Sequence, residues 1–323
     1  MSRLHDKDVT VGMPDGLMSF EHRRVWEKFF AALSVKTLSS SKTTNDIIRY
    51  GVSLCSNETC LPVKVFAGHA ASLCGRADCI FVPRCMSVCK GEKSCPKLCG
   101  LPDVVRLSLK NKAPVTGVTV DLDKSVKESG KSLSALSETI GRNKRSVESA
   151  FLRIVVPGLA AENSPNAFIP EFNRARERPV IAVLGHPYMI FDELLSMGLI
   201  KKLTSAGYRV LTPYDIKRSV RRANACPFAG RSFYETGLDI LGAFNVFRKM
   251  DIVAGMVYLT PFACGVDSIA AEFVERGIRE EPRKPFLKLT VDEHSGESGF
   301  DTRLEAFLDM LPAGNLNEKR QSI

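Results

Sequence analysis

The chain has 323 residues, 44% of them hydrophobic and ten of them cysteine, and a formal charge of +9 at pH 7. That length and apolar content suffice for a large core in two domains and argue against a small disulfide-stapled scaffold. The first residues, MSRLHDKDVTVGMPDG, lack the apolar core and cleavage pattern of a secretory signal, and no apolar run approaches the ~18 residues of a membrane span. A cytoplasmic protein with reduced thiols is therefore expected.

In chain order, Asp8 to Pro14 reads as a short strand running into a turn. Ser19 to Leu33 reads as a helix with Phe20, Val25, Phe29 and Phe30 on one side and Ser19 placed to cap it. Val35 to Leu38 is a second strand, Thr43 to Tyr50 opens a helix, and Cys79-Ile-Phe-Val-Pro83 is a buried strand. This alternation is that of an α/β sheet, here an N-terminal lobe over 1–110. From 111 to 178 the chain turns polar and reads as a helical connector, helical from Ser125 to Leu152. A second α/β lobe spans 179–312. Its strands are Val180 to Leu184, Tyr208 to Pro213, Ile252 to Leu259 and Phe286 to Val291. Its helices are Asp192 to Ala206 (ending at Gly207), Phe233 to Lys249, Asp267 to Gly277 with Asp267 or Ser268 as cap, and Thr302 to Leu311. Residues 313–323 read as a disordered tail. The fold class is thus α/β, two Rossmann-like lobes with a helical connector.

The basic residues are scattered in small groups, Arg142-Asn-Lys-Arg145, Lys217-Arg218, Arg221-Arg222 and Lys319-Arg320. A solvated basic surface is the main reading. An acidic protein or a polyphosphorylated ligand such as a CoA ester comes next, and a nucleic-acid partner is not expected.

Eight cysteines crowd between Cys55 and Cys99; Cys226 and Cys264 lie far downstream. The pairs Cys55-x4-Cys60, Cys74-x4-Cys79, Cys85-x3-Cys89 and Cys95-x3-Cys99 match neither zinc-ribbon nor ferredoxin spacing, so local spacing names no metal. A zinc site of four of these thiols and inert burial of single ones both stay open. Three cysteines stand in stronger contexts. Cys60 and Cys95 sit at element boundaries followed by proline, in Cys60-Leu-Pro and Cys95-Pro. Cys264 follows a buried strand and precedes a helix, where α/β sheets place ligands and where a thiolate gains from the helix N-terminus. Two other strand-end loops carry titratable groups. Asp292-Glu-His-Ser-Gly-Glu-Ser-Gly299 offers Glu293, His294, Ser295 and Glu297, and Gly185-His-Pro offers His186.

Two blocks of the chain resemble the acyl-CoA dehydratase activase-related family, kin to the D-component of 2-hydroxyacyl-CoA dehydratases and to double-cubane cluster proteins. One runs from Val9-Thr-Val-Gly-Met-Pro14 through Cys60-Leu-Pro-Val-Lys64, Phe81-Val-Pro-Arg84 and Cys95-Pro-Lys-Leu-Cys-Gly-Leu-Pro-Asp103. The other runs from Gly185-His-Pro through Cys264-Gly-Val-Asp-Ser268 to the long match from Pro285 to Phe307. The resemblance implies a 4Fe–4S cluster in a cleft between the lobes, held by the matching Cys60, Cys95 and Cys264 with one iron open. It also implies electrons received from an ATP-hydrolysing activase. Relatives differ at Cys85, Cys89 and Cys99, and Cys55 also looks extra. Cys85, Cys89 and Cys99 are expected to add ligation, to a second cluster or a double cubane, or else to be spectators.

The chain has no Gly-x4-Gly-Lys-Ser/Thr phosphate loop, so ATP hydrolysis falls to the partner. The leading reading is an iron–sulfur protein in ATP-coupled electron transfer to a reductive or radical reaction. Glu293, His294, Ser295 and Glu297 would serve in hydrogen bonding or proton transfer. It would act as an ATP-coupled reductase or a dehydratase component on a CoA ester or other small molecule, as a homo- or hetero-dimer. The alternative is a non-enzymatic iron–sulfur or zinc protein, a cluster scaffold or redox sensor.

Overall fold

The computed structural model describes residues 9–124, 129–160, 178–225, 234–282 and 284–311. Contacts divide the chain into two units, Met1–Ala161 with Phe233–Glu235, and Glu162–Ser232 with Thr236–Ile323. Both are α/β, and each is built on its own parallel sheet.

In unit 1, β1 (Thr10–Met13), β2 (Lys36–Ser39), β3 (Cys79–Phe81) and β5 (Val115–Thr116) form a parallel sheet ordered β2-β1-β3-β5. A parallel pair, β4 (Arg84–Ser87) and β6 (Thr119–Asp121), stands apart from it. Two aromatic residues of α1 (Ser19–Ala32) reach the sheet. Trp26 and Phe30 meet Phe81 edge-on, with ring centroids 4.8 and 5.0 Å away. Met18, not Ser19, occupies the N-cap position, because the helical turn begins at Ser19 itself. Part of the stretch expected to be a helical connector is sheet, since β5 and β6 fall within it and pair with β3 and β4. Its helices are α6 (Gly130–Thr139), α7 (Lys144–Ala150), a π-helical turn (Phe151–Val155) and α8 (Val156–Ala160), all within unit 1.

On unit 1, α2 (Asn45–Leu54) and α3 (Leu61–Ser72) approach closely through two glycines. A Cβ at Gly51 would stand 1.9 Å from the Lys64 carbonyl oxygen, and one at Gly68 2.1 Å from that of Ile47. Further along, α4 (Pro96–Cys99) and α5 (Leu101–Ser108) are anchored by Arg84. It donates to the Cys99 carbonyl and the Asp103 carboxylate, each at 2.6 Å.

Unit 2 repeats the strand order. β7 (Val180–Leu184), β8 (Arg209–Leu211), β9 (Val253–Pro261) and β10 (Phe286–Val291) form a parallel sheet ordered β10-β9-β7-β8. β7 is apolar throughout because both of its faces are covered. Val180, Ala182, Leu184, Met256 and Tyr258 pack against α12 (Glu235–Phe247, all but its first residue in unit 2) and α13 (Gly265–Glu280). Opposite, a Cβ on Gly255 would run into Leu311 and Phe307, which places α14 (Glu297–Asp309) on the other face. The helix expected over Asp192–Ala206 is shorter, α10 (Leu199–Ser205). Asp192 Oδ1 accepts from the Leu194 and Leu195 amides at 3.0 Å, a local turn that competes with helix, and Met197 and Gly198 have φ of 50° and 67°. The helix does end at Gly207, whose φ is 90°. No helix among the described residues is long and apolar enough to cross a membrane. Residues 313–323 lie outside the described residues.

The glycine contact makes a direct prediction. Gly51→Ala must push α2 off α3 and should cost about 1–3 kcal/mol or more of stability, as overpacking does. Urea denaturation should show the midpoint falling; an unchanged midpoint would mean that the two helices do not touch here.

Candidate metal centre

In an open parallel sheet the crevice lies where strand order reverses, outside the carboxyl ends of the two central strands. In unit 2 these are β7 and β9, with β8 leading one way and β10 the other. β7 ends at Leu184 and is followed by Gly185, whose φ is 148°. A Cβ there would stand 2.7 Å from the Leu259 carbonyl oxygen on β9, so only glycine permits the approach. His186 comes next, at the N-cap of the short helix α9 (Pro187–Ile190). β9 ends at Pro261, and Ala263, held at φ 61°, turns the chain so that Cys264 occupies the N-cap of α13.

Asp267, in the first turn of α13, does not cap the helix as expected, because Cys264 takes that position. Its carboxylate turns inward instead. Oδ1 accepts a hydrogen bond from the Tyr258 hydroxyl at 2.8 Å, and Oδ2 stands 3.1 Å from His186 Nε2. His186, Cys264 and Asp267 are all buried, each with a donor atom within 4.8 Å of the others'. Burial by itself pulls the imidazole pKa down. The facing Asp267 carboxylate outweighs it and, with Cys264, holds His186 well above the ordinary histidine value. The Tyr258 hydroxyl is pushed well up by burial and by the neighbouring Asp267 charge. Sulfur, nitrogen and oxygen donors thus converge in an apolar interior, a set suited to a borderline metal ion.

In unit 1, Cys60 is the N-cap of α3, with Pro62 in its first turn, and Cys95 is the N-cap of α4, followed by Pro96. Cys99 ends α4 and donates its thiol to the Cys85 carbonyl at 3.2 Å. Cys85 lies fully buried in β4, where burial drives its pKa well up; Cys89 is half-buried in the following turn. Among the described residues, no three of these thiols bring their sulfurs within 4.8 Å of one another, the spacing expected of ligands to a single ion. Of the other cysteines, Cys55 stands 3.9 Å from the Ser108 hydroxyl and Cys74 donates to the Ala70 carbonyl. Cys226 lies outside the described residues.

Glu293, His294, Ser295 and Glu297 follow β10, at the edge of the unit 2 sheet, and belong to a different arrangement from the metal-donor group. Ser295 closes a turn, donating to Asp292 Oδ1 at 2.7 Å and accepting from the Asp292 amide at 2.9 Å. Glu297 is exposed and pairs with Lys202 at 2.8 Å; His294 is exposed and Glu293 half-buried. Sequence reasoning singled out Cys264 and His186 but gave Asp267 only a capping role and Tyr258 none. The available signal was a tyrosine in an otherwise apolar strand core shortly before a first-turn aspartate.

Fold and site define an α/β protein whose unit 2 carries a buried thiol–imidazole–carboxylate group at the switch point of a doubly wound sheet. The chain belongs to the family described as CoA enzyme activase uncharacterised domain, whose model matches residues 10–216. The matched stretch includes Cys60, Cys95 and His186 and stops short of Cys264. No curated protein matches the chain.

Cys79 supplies a check on the thiol environments. Burial, with the Asp78 charge second, raises its pKa to about 11. At pH 8 only about one molecule in a thousand then carries the thiolate. Cys79 should be among the last cysteines alkylated by iodoacetamide in the native state, as peptide mass spectrometry would show. Early labelling would refute its burial.

Proposed function

We propose that this chain is an iron–sulfur protein of the 2-hydroxyacyl-CoA dehydratase and activase-related type. It takes low-potential electrons from an ATP-hydrolysing activase and passes them singly to a reductive or radical reaction. The observation that carries this reading is positional. Cys60, Cys95 and Cys264, the cysteines matched to cluster ligands by resemblance, each occupy a helix N-cap. For Cys60 and Cys264 the helices are 12 and 16 residues long, so each cysteine stands at the positive end of a full helix. The donors therefore suit a 4Fe–4S cluster in kind, and membership of a CoA enzyme activase family supports the activase partner.

Bound there, such a cluster would supply one-electron chemistry and a Lewis-acidic iron lacking a protein thiolate. The chain's own residues do the rest. Cys60, Cys95 and Cys264 hold the group, and the fully buried Tyr258 and Asp267 keep the surroundings of Cys264 fixed and dry. On the loop after β10, Ser295 holds the turn, Glu297 is tied to Lys202, and Glu293 and His294 are assigned to moving protons. Cys85, Cys89 and Cys99 are reserve ligands for a second cluster. The substrate is a CoA ester or another small molecule.

Anaerobically purified protein should contain about four irons and as many acid-labile sulfides per chain, with a paramagnetic signal on reduction. Cys60→Ala, Cys95→Ala and Cys264→Ala should each lose iron, and Cys74→Ala should keep it. About eight irons, falling when Cys85 or Cys99 is replaced, would bring in the reserve thiols. Zinc without labile sulfide would overturn the reading. Glu293→Gln and His294→Gln should retain the cluster and lose electron-coupled turnover; full turnover in both would remove the two residues from proton transfer, and a cluster-bearing parent chain without turnover would favour a scaffold or redox sensor.

A further inference from the structure

His186 Nε2 and Asp267 Oδ2 are 3.1 Å apart in a dry interior, yet neither completes an aligned hydrogen bond among the described residues. His186 Nδ1 is likewise buried without a hydrogen-bond partner. The two residues are only 1% exposed. With no ion bound the two form a buried ion pair; with the imidazole neutral, the same nitrogen and oxygen present two lone pairs to one point. They are natural as ligands to one ion. With bonds of about 2.0–2.2 Å, two such donors on a tetrahedral metal stand about 3.3–3.6 Å apart, so the pair needs to open by only a few tenths of an ångström. Cys264, whose donor atom is within 4.8 Å of both, supplies the third.

We propose that His186, Cys264 and Asp267 form a three-ligand site for a single borderline divalent cation of the zinc class, with a fourth position open to water or a small ligand. Thiolate and imidazole together disfavour magnesium and calcium, which take oxygen. Tyr258 completes the design. It donates to Asp267 Oδ1, which leaves Oδ2 for the ion and fixes the carboxylate's orientation. Cys264 is the N-cap of α13, which sets it at the positive end of that helix. All three donors belong to unit 2, so the site needs no thiol of unit 1. It goes beyond the iron–sulfur reading. Because Cys264 serves both, a single ion and a cluster are alternative occupants.

The test uses the full chain, stripped of metal by chelator under reducing, anaerobic conditions and titrated with cobalt(II). One equivalent should bind, giving tetrahedral d–d bands and a sulfur-to-cobalt charge-transfer band, and zinc should displace it. Cys264→Ser should abolish the charge-transfer band, and His186→Ala and Asp267→Asn should each abolish tight binding. Cys74→Ala, outside both sets of ligands, should bind like the parent chain. Tyr258→Phe keeps all three ligands and should weaken binding about 10–100-fold, the usual effect of losing such a supporting contact. Circular dichroism establishes that each variant is folded, and Tyr258→Phe tests the site even if a ligand variant unfolds. An absent charge-transfer band in the parent chain, or one that survives in folded Cys264→Ser, overturns the proposal. So does Tyr258→Phe binding as tightly as the parent. The two readings fail separately. Cobalt binding in a chain that never acquires labile sulfide keeps this site and removes the cluster, and a cluster-bearing chain without cobalt affinity does the reverse.

Discussion

A carboxylate and an imidazole in a dry interior cost several kcal/mol each to desolvate, and the structure of unit 2 at its switch point is organised around offsetting that cost. Asp267 and His186 are both essentially inaccessible. The carboxylate is tied on one side to the Tyr258 hydroxyl and faces the imidazole on the other. Removing one partner would leave an uncompensated buried charge. The neighbouring backbone must therefore hold both in register, and its unusual features fall where that demand is greatest.

Two of them frame the site. Gly185 carries a φ of 148° and lets the end of β7 come against the Leu259 carbonyl of β9. Ala263 adopts φ 61°, costly for a residue with a Cβ, one position before Cys264. Strained conformations persist where the surroundings over-determine them, and they cluster at functional sites. Here the strain does visible work. The first sets His186 at the start of α9, and the second swings Cys264 into the N-cap of α13 so that Asp267, in the same first turn, looks inward. The sulfur, nitrogen and oxygen donors then meet although they come from two strand ends far apart in the chain.

Much of this was legible in the residues. β7 announced itself as five apolar residues closed by Gly-His-Pro, β1, β3 and β10 stand where their apolar runs put them, and β2 lies one residue beyond the expected Val35–Leu38. Cys60 and Cys95 were readable as element boundaries from the prolines that follow them; both elements are helices, whose first turn suits proline because its missing N–H costs nothing there. The errors have physical causes. The Asp192 segment carries helical periodicity, but its side chain captures two amides and starts a turn instead. β5 is two residues long and so leaves almost no alternation to detect. Asp267 resembled a cap because a first-turn carboxylate usually is one. Its true partners are a tyrosine on the preceding strand and a histidine at the end of another, pairings that exist only once β7 and β9 lie side by side.

The two units show how far topology alone carries a functional argument. Both sheets run second, first, third, fourth across their strands, so both have a switch point between their first and third strands. In unit 2 that place holds sulfur, nitrogen and carboxylate. In unit 1 it holds an apolar hollow lined by Met13, Pro14, Met18, Trp26, Phe81 and Pro83. The same order therefore presents donors in one unit and a greasy surface in the other, because the residues just past β1 and β3 are Pro14 and Val82-Pro83 rather than histidine and cysteine. Proline offers no N–H and no donor side chain, so unit 1 cannot copy the unit 2 site at the equivalent position. Its thiols stand instead at later helix starts, Cys60 before α3 and Cys95 before α4. Which groups gather at each switch point is set by the residues that follow each strand, on a scaffold that accepts either outcome.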